Sequence, residues 1–237
     1  MAKPMTVEEF ATACAEALGR RLEALLLYGS LASGTHVPGR SDVNTLLVCD
    51  AVDEALFAAL EPVVARWRRA GHPAPLILTM EEWRGSADAF PIEYGDMREA
   101  HRLLAGRDPW AGITVRREDL RRQLEHELKG KLLRLRQAYA ALRSEPKRLG
   151  EVIERSAPGF FTMVRAVLRL AGRAAPAGPG ELVRAAAATI GFPAEAFEGL
   201  VAQARERRPL KLKLRDERVV AYLAAVARTA EFVHRLE

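Results

Sequence analysis

Apolar positions recur along this chain with two different periods, and the change from one to the other divides it. Near the start, Phe10, Ala13, Cys14, Ala17 and Leu18 fall at helical spacing, which predicts a helix over 6–21. Thr6 can cap it, and Glu8 and Glu9 lie near the positive end of its dipole. LEALLLYGS (22–30) is a short apolar run stopped by Gly29-Ser30, the pattern of a buried strand. SDVNTLLVCD (41–50) predicts a second strand, PLILTM (75–80) a third, and PIEYGDM (91–97) a short fourth interrupted by Gly95. Between the second and third, residues 53–70 predict a helix with Leu56, Leu60, Val63, Val64 and Trp67 on one side.

From about Val115 the period is helical throughout. Residues 116–143 predict one long amphipathic helix, with Leu120, Leu124, Leu128, Leu132, Leu135 and Leu142 among its apolar positions. A further helical region over 147–172 is expected to break near Pro158, and AGRAAPAGPG (171–180) is a loop by its glycine and proline content. Helices follow near 180–191, 193–207 and 216–236. The fold class expected is α+β: a small mixed-sheet domain over 1–112, then an all-α helical bundle over 113–237.

Composition narrows the picture only a little. The 237 residues are 49% hydrophobic and 28% charged, enough to bury a sizeable core, which excludes a wholly disordered chain. The net charge of +5 comes from 36 basic and 31 acidic residues, and only six of the basic residues are lysines. Arginine used this evenly reads as a solvated surface and weighs against a nucleic-acid partner. Two cysteines, Cys14 and Cys49, exclude a disulfide scaffold. The absence of an 18-residue apolar run excludes a membrane-spanning helix, and MAKPMTVEEF has no apolar signal core. A cytoplasmic protein is the expectation.

The chemistry concentrates in LLLYGSLASGTHVPGRSDVNTLLV (25–48). A strand ends at Gly29-Ser30, where glycine permits close backbone approach to a ligand. A short helix starting there would add free amides, a natural phosphate cradle. Asp42 and Asn44 follow at i and i+2, and on a strand they would share one face.

Gly29-Ser30, a spacer, and then Ser41-Asp42-Val43-Asn44 resemble the Gly-Ser…Ser-Asp-x-Asp motif of the nucleotidyltransferase superfamily, of DNA polymerase β-like fold. The chain is most similar to the bacterial aminoglycoside nucleotidyltransferase group, in which an α/β domain precedes a helical bundle. PLILT (75–79) is similar to the strand that carries the third acid there, and FPIEYGDMREAHRLLAG (90–106) to the segment leading into the helical domain. By motif the resemblance covers about residues 20–110. It implies magnesium-dependent transfer of a nucleoside monophosphate from a nucleoside triphosphate to a hydroxyl of a small molecule. Paired carboxylates hold two metal ions that clamp the attacking and leaving oxygens. By resemblance Gly29, Ser30 and Ser41 would hold phosphates, Asp42 and Asn44 the metal, and the acceptor would lie between the two domains.

The chain departs from the family pattern at two of three positions. Asn44 stands where the second aspartate belongs, and the aligned residue in PLILT is Ile77. Glu93 on the fourth predicted strand is the substitute acid put forward, with Glu81, Glu82 and Asp96 as others. Three explanations stand open: a degenerate site that keeps a pocket as a binding or regulatory module, an active variant that recruits an acid, or a deliberate exchange of aspartate for asparagine.

Other features carry less. Arg121 with His126 and Arg228 with His234 resemble the signature of HEPN-type helical ribonucleases, but thirty arginines make such pairings cheap. RERRPLKLKLR (205–215) is basic but has no aromatic residue on which to stack a base. His36 lies in the loop before Asp42 and reads as a surface residue. Cys14 and Cys49 read as packing residues.

Overall fold

Thr6 starts the first helix, α1 (Val7–Leu18), through a reciprocal cap. The Glu9 amide donates to Thr6 Oγ1 at 3.2 Å, and the Thr6 amide donates to the Glu9 carboxylate at 2.8 Å. The structure, a computed structural model, describes residues 4–34, 42–206 and 210–236. It forms two compact units, Met1–Val115 and Arg116–Glu237.

In the first unit a short 3₁₀ turn (Gly19–Arg21) leads into β1 (Leu22–Tyr28). Strands β2 (Asn44–Cys49), β3 (Leu76–Thr79) and β4 (His101–Gly106) complete one sheet in the order β3-β2-β1-β4. β1 pairs antiparallel with both β2 and β4, and β3 lies parallel to β2. Helices α2 (Glu54–Arg69), α3 (Met80–Gly85) and α4 (Pro91–Glu99) fill the connections.

Each face of the sheet has its own core. Leu25, Leu27, Leu47 and Cys49 pack with Phe10 and Cys14 of α1 and with Leu56, Leu60 and Trp67 of α2. Phe10 stacks on Trp67 at 4.3 Å. Ala24, Leu26, Leu46 and Val48 face the other way, against Trp83, Tyr94, Met97 and Trp110. Covering both faces explains why 24–27 and 45–49 are buried without alternation.

Three sequence expectations need correction here. PIEYGDM is a helix: Pro91 sits in its first turn with its fixed φ, and the buried positions Pro91, Tyr94 and Gly95 follow helical spacing. A fourth strand exists, but it is HRLLAG (101–106), hidden in sequence because it is an edge strand without buried alternation. The helix near Pro158 does not break. The element α6 (Pro146–Leu170) runs through it, with the proline on the exposed side and a long apolar face buried from Leu149 to Leu170. That burial outweighs the roughly 3 kcal/mol that an interior proline costs.

The second unit is built from α5 (Arg117–Leu142), α6, α7 (Pro179–Ile190), α8 (Glu198–Glu206) and α9 (Glu217–Arg235). Phe160, Phe197 and Tyr222 form its aromatic centre, with ring centroids 5.3–5.7 Å apart. No described helix is long and apolar enough to cross a membrane.

Gly106 closes the β1–β4 ladder. Its φ is +81°, and a Cβ there would overlap the Glu23 carbonyl, which accepts the Arg107 amide at 2.9 Å. Gly112 has a similar φ of +79° but open space around it. Gly106→Ala is therefore expected to destabilise the chain by at least about 2 kcal/mol, and Gly112→Ala by about 1 kcal/mol, the strain alone. Urea denaturation of the two variants side by side checks the difference.

Candidate functional site

The site begins where β1 ends. Gly29 follows Tyr28 with φ +80°, a conformation that suits glycine, and its amide donates to the Ala100 carbonyl at 3.1 Å. A Cβ on Gly29 would sit 3.2 Å from Asn44 Nδ2, so glycine makes room for the asparagine amide. Residues 29–34 form turns and not the short helix expected. The Ser33 amide donates to the Gly29 carbonyl at 3.0 Å, and Ser33 Oγ donates to the Ser30 carbonyl at 3.1 Å. Leu31 and Ala32 anchor these turns against the α1–α2 core. Ser41 and His36 lie outside the described residues.

Asn44 is the first residue of β2 and pairs with Tyr28. It is half-buried and shares the sheet face of Leu46 and Val48. Asp42 lies just before the strand, not on it, and is exposed. The structure thus brings Gly29, Ser30 and Asn44 to one end of the sheet, with Asp42 two residues from Asn44.

Register shows which residue of β3 shares the face of Asn44. β3 runs parallel to β2, with Leu46 opposite Leu76 and Leu47 opposite Ile77. Ile77 packs on the α1–α2 side, whereas Leu78 joins the Trp83 side. Ile77 therefore points away from the face of Asn44. The residue of β3 that shares that face near the site is Leu76, 50% exposed. An aliphatic side chain occupies this place on either alignment.

Three of the four substitute acids, Glu81, Glu82 and Glu93, stand away from this end. Thr79 pairs with Cys49, five residues along β2 from Asn44, about 17 Å away. Glu81 and Glu82 begin α3 at that far end, and Glu82 is engaged in capping: its carboxylate accepts the Thr79 amide at 2.7 Å. Glu93 is exposed on α4, not on a strand. It is Ala100, after the end of that helix, that meets Gly29. Glu93 stands seven residues earlier, roughly 10 Å back along the axis. Asp96 lies on the same helix, one turn before Ala100, whose amide its carbonyl accepts at 3.1 Å.

Two further residues, Tyr28 and His101, stand at this end of the sheet. Tyr28 pairs with Asn44 on one side and with His101 on the other. His101 Nδ1 lies 3.0 Å from the Met97 carbonyl, which can only accept, so Nδ1 carries a proton. The imidazole tilts against Trp110 at 5.4 Å, and the Arg98 guanidinium covers Trp110 at 5.7 Å. Burial pushes the Tyr28 hydroxyl above its ordinary pKa, keeping it protonated. Only strand pairing reveals this row; in sequence, residues 28, 44 and 101 share no spacing.

The donor set does not fit a two-ion centre. Asp42 offers one carboxylate, Asn44 a neutral amide, and Leu76 nothing. Among the described residues no group of three or more His, Cys, Asp or Glu is arranged to hold a metal. Thiol chemistry is no more favoured: burial pushes Cys14 up to about 12 and Cys49 up to about 11. A groove of about 670 Å³ lies between α1 and β4, lined by Glu8, Thr12, Glu16 and Arg102, and includes none of these site residues.

The mixed four-strand sheet followed by a helical unit is the nucleotidyltransferase fold. The chain is similar to a solved structure described as spectinomycin adenyltransferase AAD(9) from Enterococcus faecialis with ATP and spectinomycin. The TM-score is 0.57 at 13% identity, over 95% of this chain and 97% of that one. At that identity the likeness speaks for the fold alone. No family model and no curated protein matches the chain.

In the second unit, Arg121 and His234 do not meet their sequence partners. Both turn to Glu125, at 3.0 and 2.9 Å, with Lys129 also on the same carboxylate. Arg228 donates to the Gly191 carbonyl. Of RERRPLKLKLR, residues 207–209 lie outside the described residues, and the Lys211 carbonyl accepts from Arg218 at 2.7 Å. Lys129 first, then His234, hold the Glu125 carboxyl down to about 2 from its ordinary 4.5. A depressed carboxylate stabilises the fold fully above the unfolded value and loses that contribution as pH falls. The Glu125–Lys129 pair within α5 and the Glu125–His234 pair that ties α5 to α9 should therefore both weaken between pH 4.5 and about 2, and Glu125→Gln should flatten that part of the stability–pH curve. Thermal unfolding followed across this range checks it.

Proposed function

We propose that this chain is a nucleotidyltransferase-fold protein that binds a nucleoside triphosphate at the Gly29-Ser30 end of its sheet and has lost the transfer reaction. One observation carries the reading: of the three places the fold uses for carboxylates, only Asp42 has one. Two metal ions clamping attacking and leaving oxygens need more negative charge than Asp42 and an amide supply. What remains suits binding. Gly29 opens the backbone beside Asn44, and Tyr28, Asn44 and His101 line one row at the sheet end. The solved structure of similar fold was obtained with ATP and spectinomycin, which makes ATP the first nucleotide to try and an aminoglycoside the first acceptor.

Calorimetry with each nucleoside triphosphate, and a transfer assay with aminoglycoside acceptors, test the two halves of the proposal. Binding without turnover is the expected result. Turnover by the chain as it stands refutes the loss of catalysis, and no binding at millimolar nucleotide refutes the nucleotide site. Asn44→Asp combined with Leu76→Glu restores two carboxylates on the correct face. A chain still inert with both is a binding module. Leu76 is half-exposed, so Leu76→Glu should change stability by no more than about 0.5 kcal/mol. Gly29→Ala forces a side chain into a positive φ beside Asn44 and should weaken nucleotide binding about tenfold, a difference of about 1.4 kcal/mol.

A further inference from the structure

The mismatch between this donor set and a metal centre has a consequence of its own, resting on the nucleotide reading above. In a centre lined by carboxylates, each one repels the phosphates, and divalent cations must lie between them. At position 44 this chain presents an amide, which carries two N–H donors as well as a carbonyl oxygen. The Asn44 amide is the group that a Gly29 Cβ would meet at 3.2 Å, so its donors lie beside Gly29. At the face-matched position of β3, Leu76 brings no charge. Tyr28, paired with Asn44, adds a hydroxyl that keeps its proton. His101 gives Nδ1–H to the Met97 carbonyl, and Arg98 donates to the Ile113 carbonyl while lying against Trp110. Asp42, exposed and at the edge, is the one remaining carboxylate of the three positions.

We propose that the site takes a nucleoside triphosphate as the free anion, held by direct N–H and O–H donors, with no requirement for magnesium. The asparagine is then a working ligand of the phosphates and not merely a lost acid. A carboxylate in its place would meet those phosphate oxygens like charge to like charge and make a cation necessary.

The test is isothermal titration with ATP, once in excess EDTA and once in millimolar magnesium, on the full chain and on Asn44→Asp. For the unaltered chain the two dissociation constants should agree within about threefold. For Asn44→Asp, binding in EDTA should weaken at least about tenfold and recover when magnesium is added. Circular dichroism and the thermal midpoint verify that the variant folds. Leu76→Glu, at an exposed strand position, gives a second variant with the same expected swing toward magnesium dependence. Binding by the unaltered chain only in magnesium overturns this inference while leaving the nucleotide site intact. An equal response of Asn44→Asp in both conditions also overturns it. No binding in either condition removes the nucleotide site itself, a result distinguishable from the other two.

Discussion

Strand β1 is hydrogen-bonded along both edges and packed on both faces, and this double burial positions all the chemistry of the first unit. Ala24, Leu25, Leu26 and Leu27 are all sealed from water. Such a strand cannot slip by one residue without exchanging its two cores. Its exit is therefore fixed in space, and Tyr28 and Gly29 leave it at a defined height. Gly29 is held there from the other side by Ala100, so β1 and the end of α4 close on the same point. The candidate site depends on this rigid exit more than on any residue within it.

The same parity rule decides which side chains can belong to the site. Asn44, Leu46 and Val48 share one face of β2, and the parallel ladder carries that face to Leu76 and Leu78 on β3. Ile77 lies between them in sequence and on the opposite side in space. An alignment that is off by one residue in a strand is a small error in sequence and a complete one in geometry. PLILT reads as the neighbouring strand, and only the register says which of its residues shares the face of Asn44. Glu81 and Glu82 fail for a related reason: a parallel strand moves away from the site as it proceeds, and its C-terminal end is far from the N-terminal end of β2.

How much was legible follows from these facts. The elements with strong periodicity or full burial, β1, β2, α2 and the long helices α5 and α9, could be read directly, whereas α6 is placed by its pattern but expected to break at Pro158, where it is continuous. The Gly29-Ser30 stop and the neutral residue at position 44 could also be read directly. The weakly patterned stretch 90–106 could not. Its helix buries Pro91, Tyr94 and Met97 with little amphipathic contrast, and its strand lies at the sheet edge, where Arg102 and Leu103 face solvent. Nothing local tells such a segment which period to adopt; the choice is made by Trp83 and Trp110, which stack on Tyr94 and pack against it edge-on. Tyr28 and His101 entered the site only with the register, because pairing across strands has no signature along the chain.

The two departures from the family pattern are physically consistent with each other. With Leu76 in place, no carboxylate on β3 helps to hold a second cation. A carboxylate at position 44 would then be half-buried, two residues from Asp42, and paired with the half-buried Tyr28. A partly desolvated charge close to a like charge is costly, whereas an amide of nearly the same shape keeps both donor and acceptor capacity at little cost. Asparagine is thus the residue expected once the neighbouring strand becomes aliphatic. Changing only one of the two positions should give a site less consistent than either the doubly acidic pattern or the present one, which is why the paired exchange, and not the single one, is the meaningful test of whether catalysis is absent.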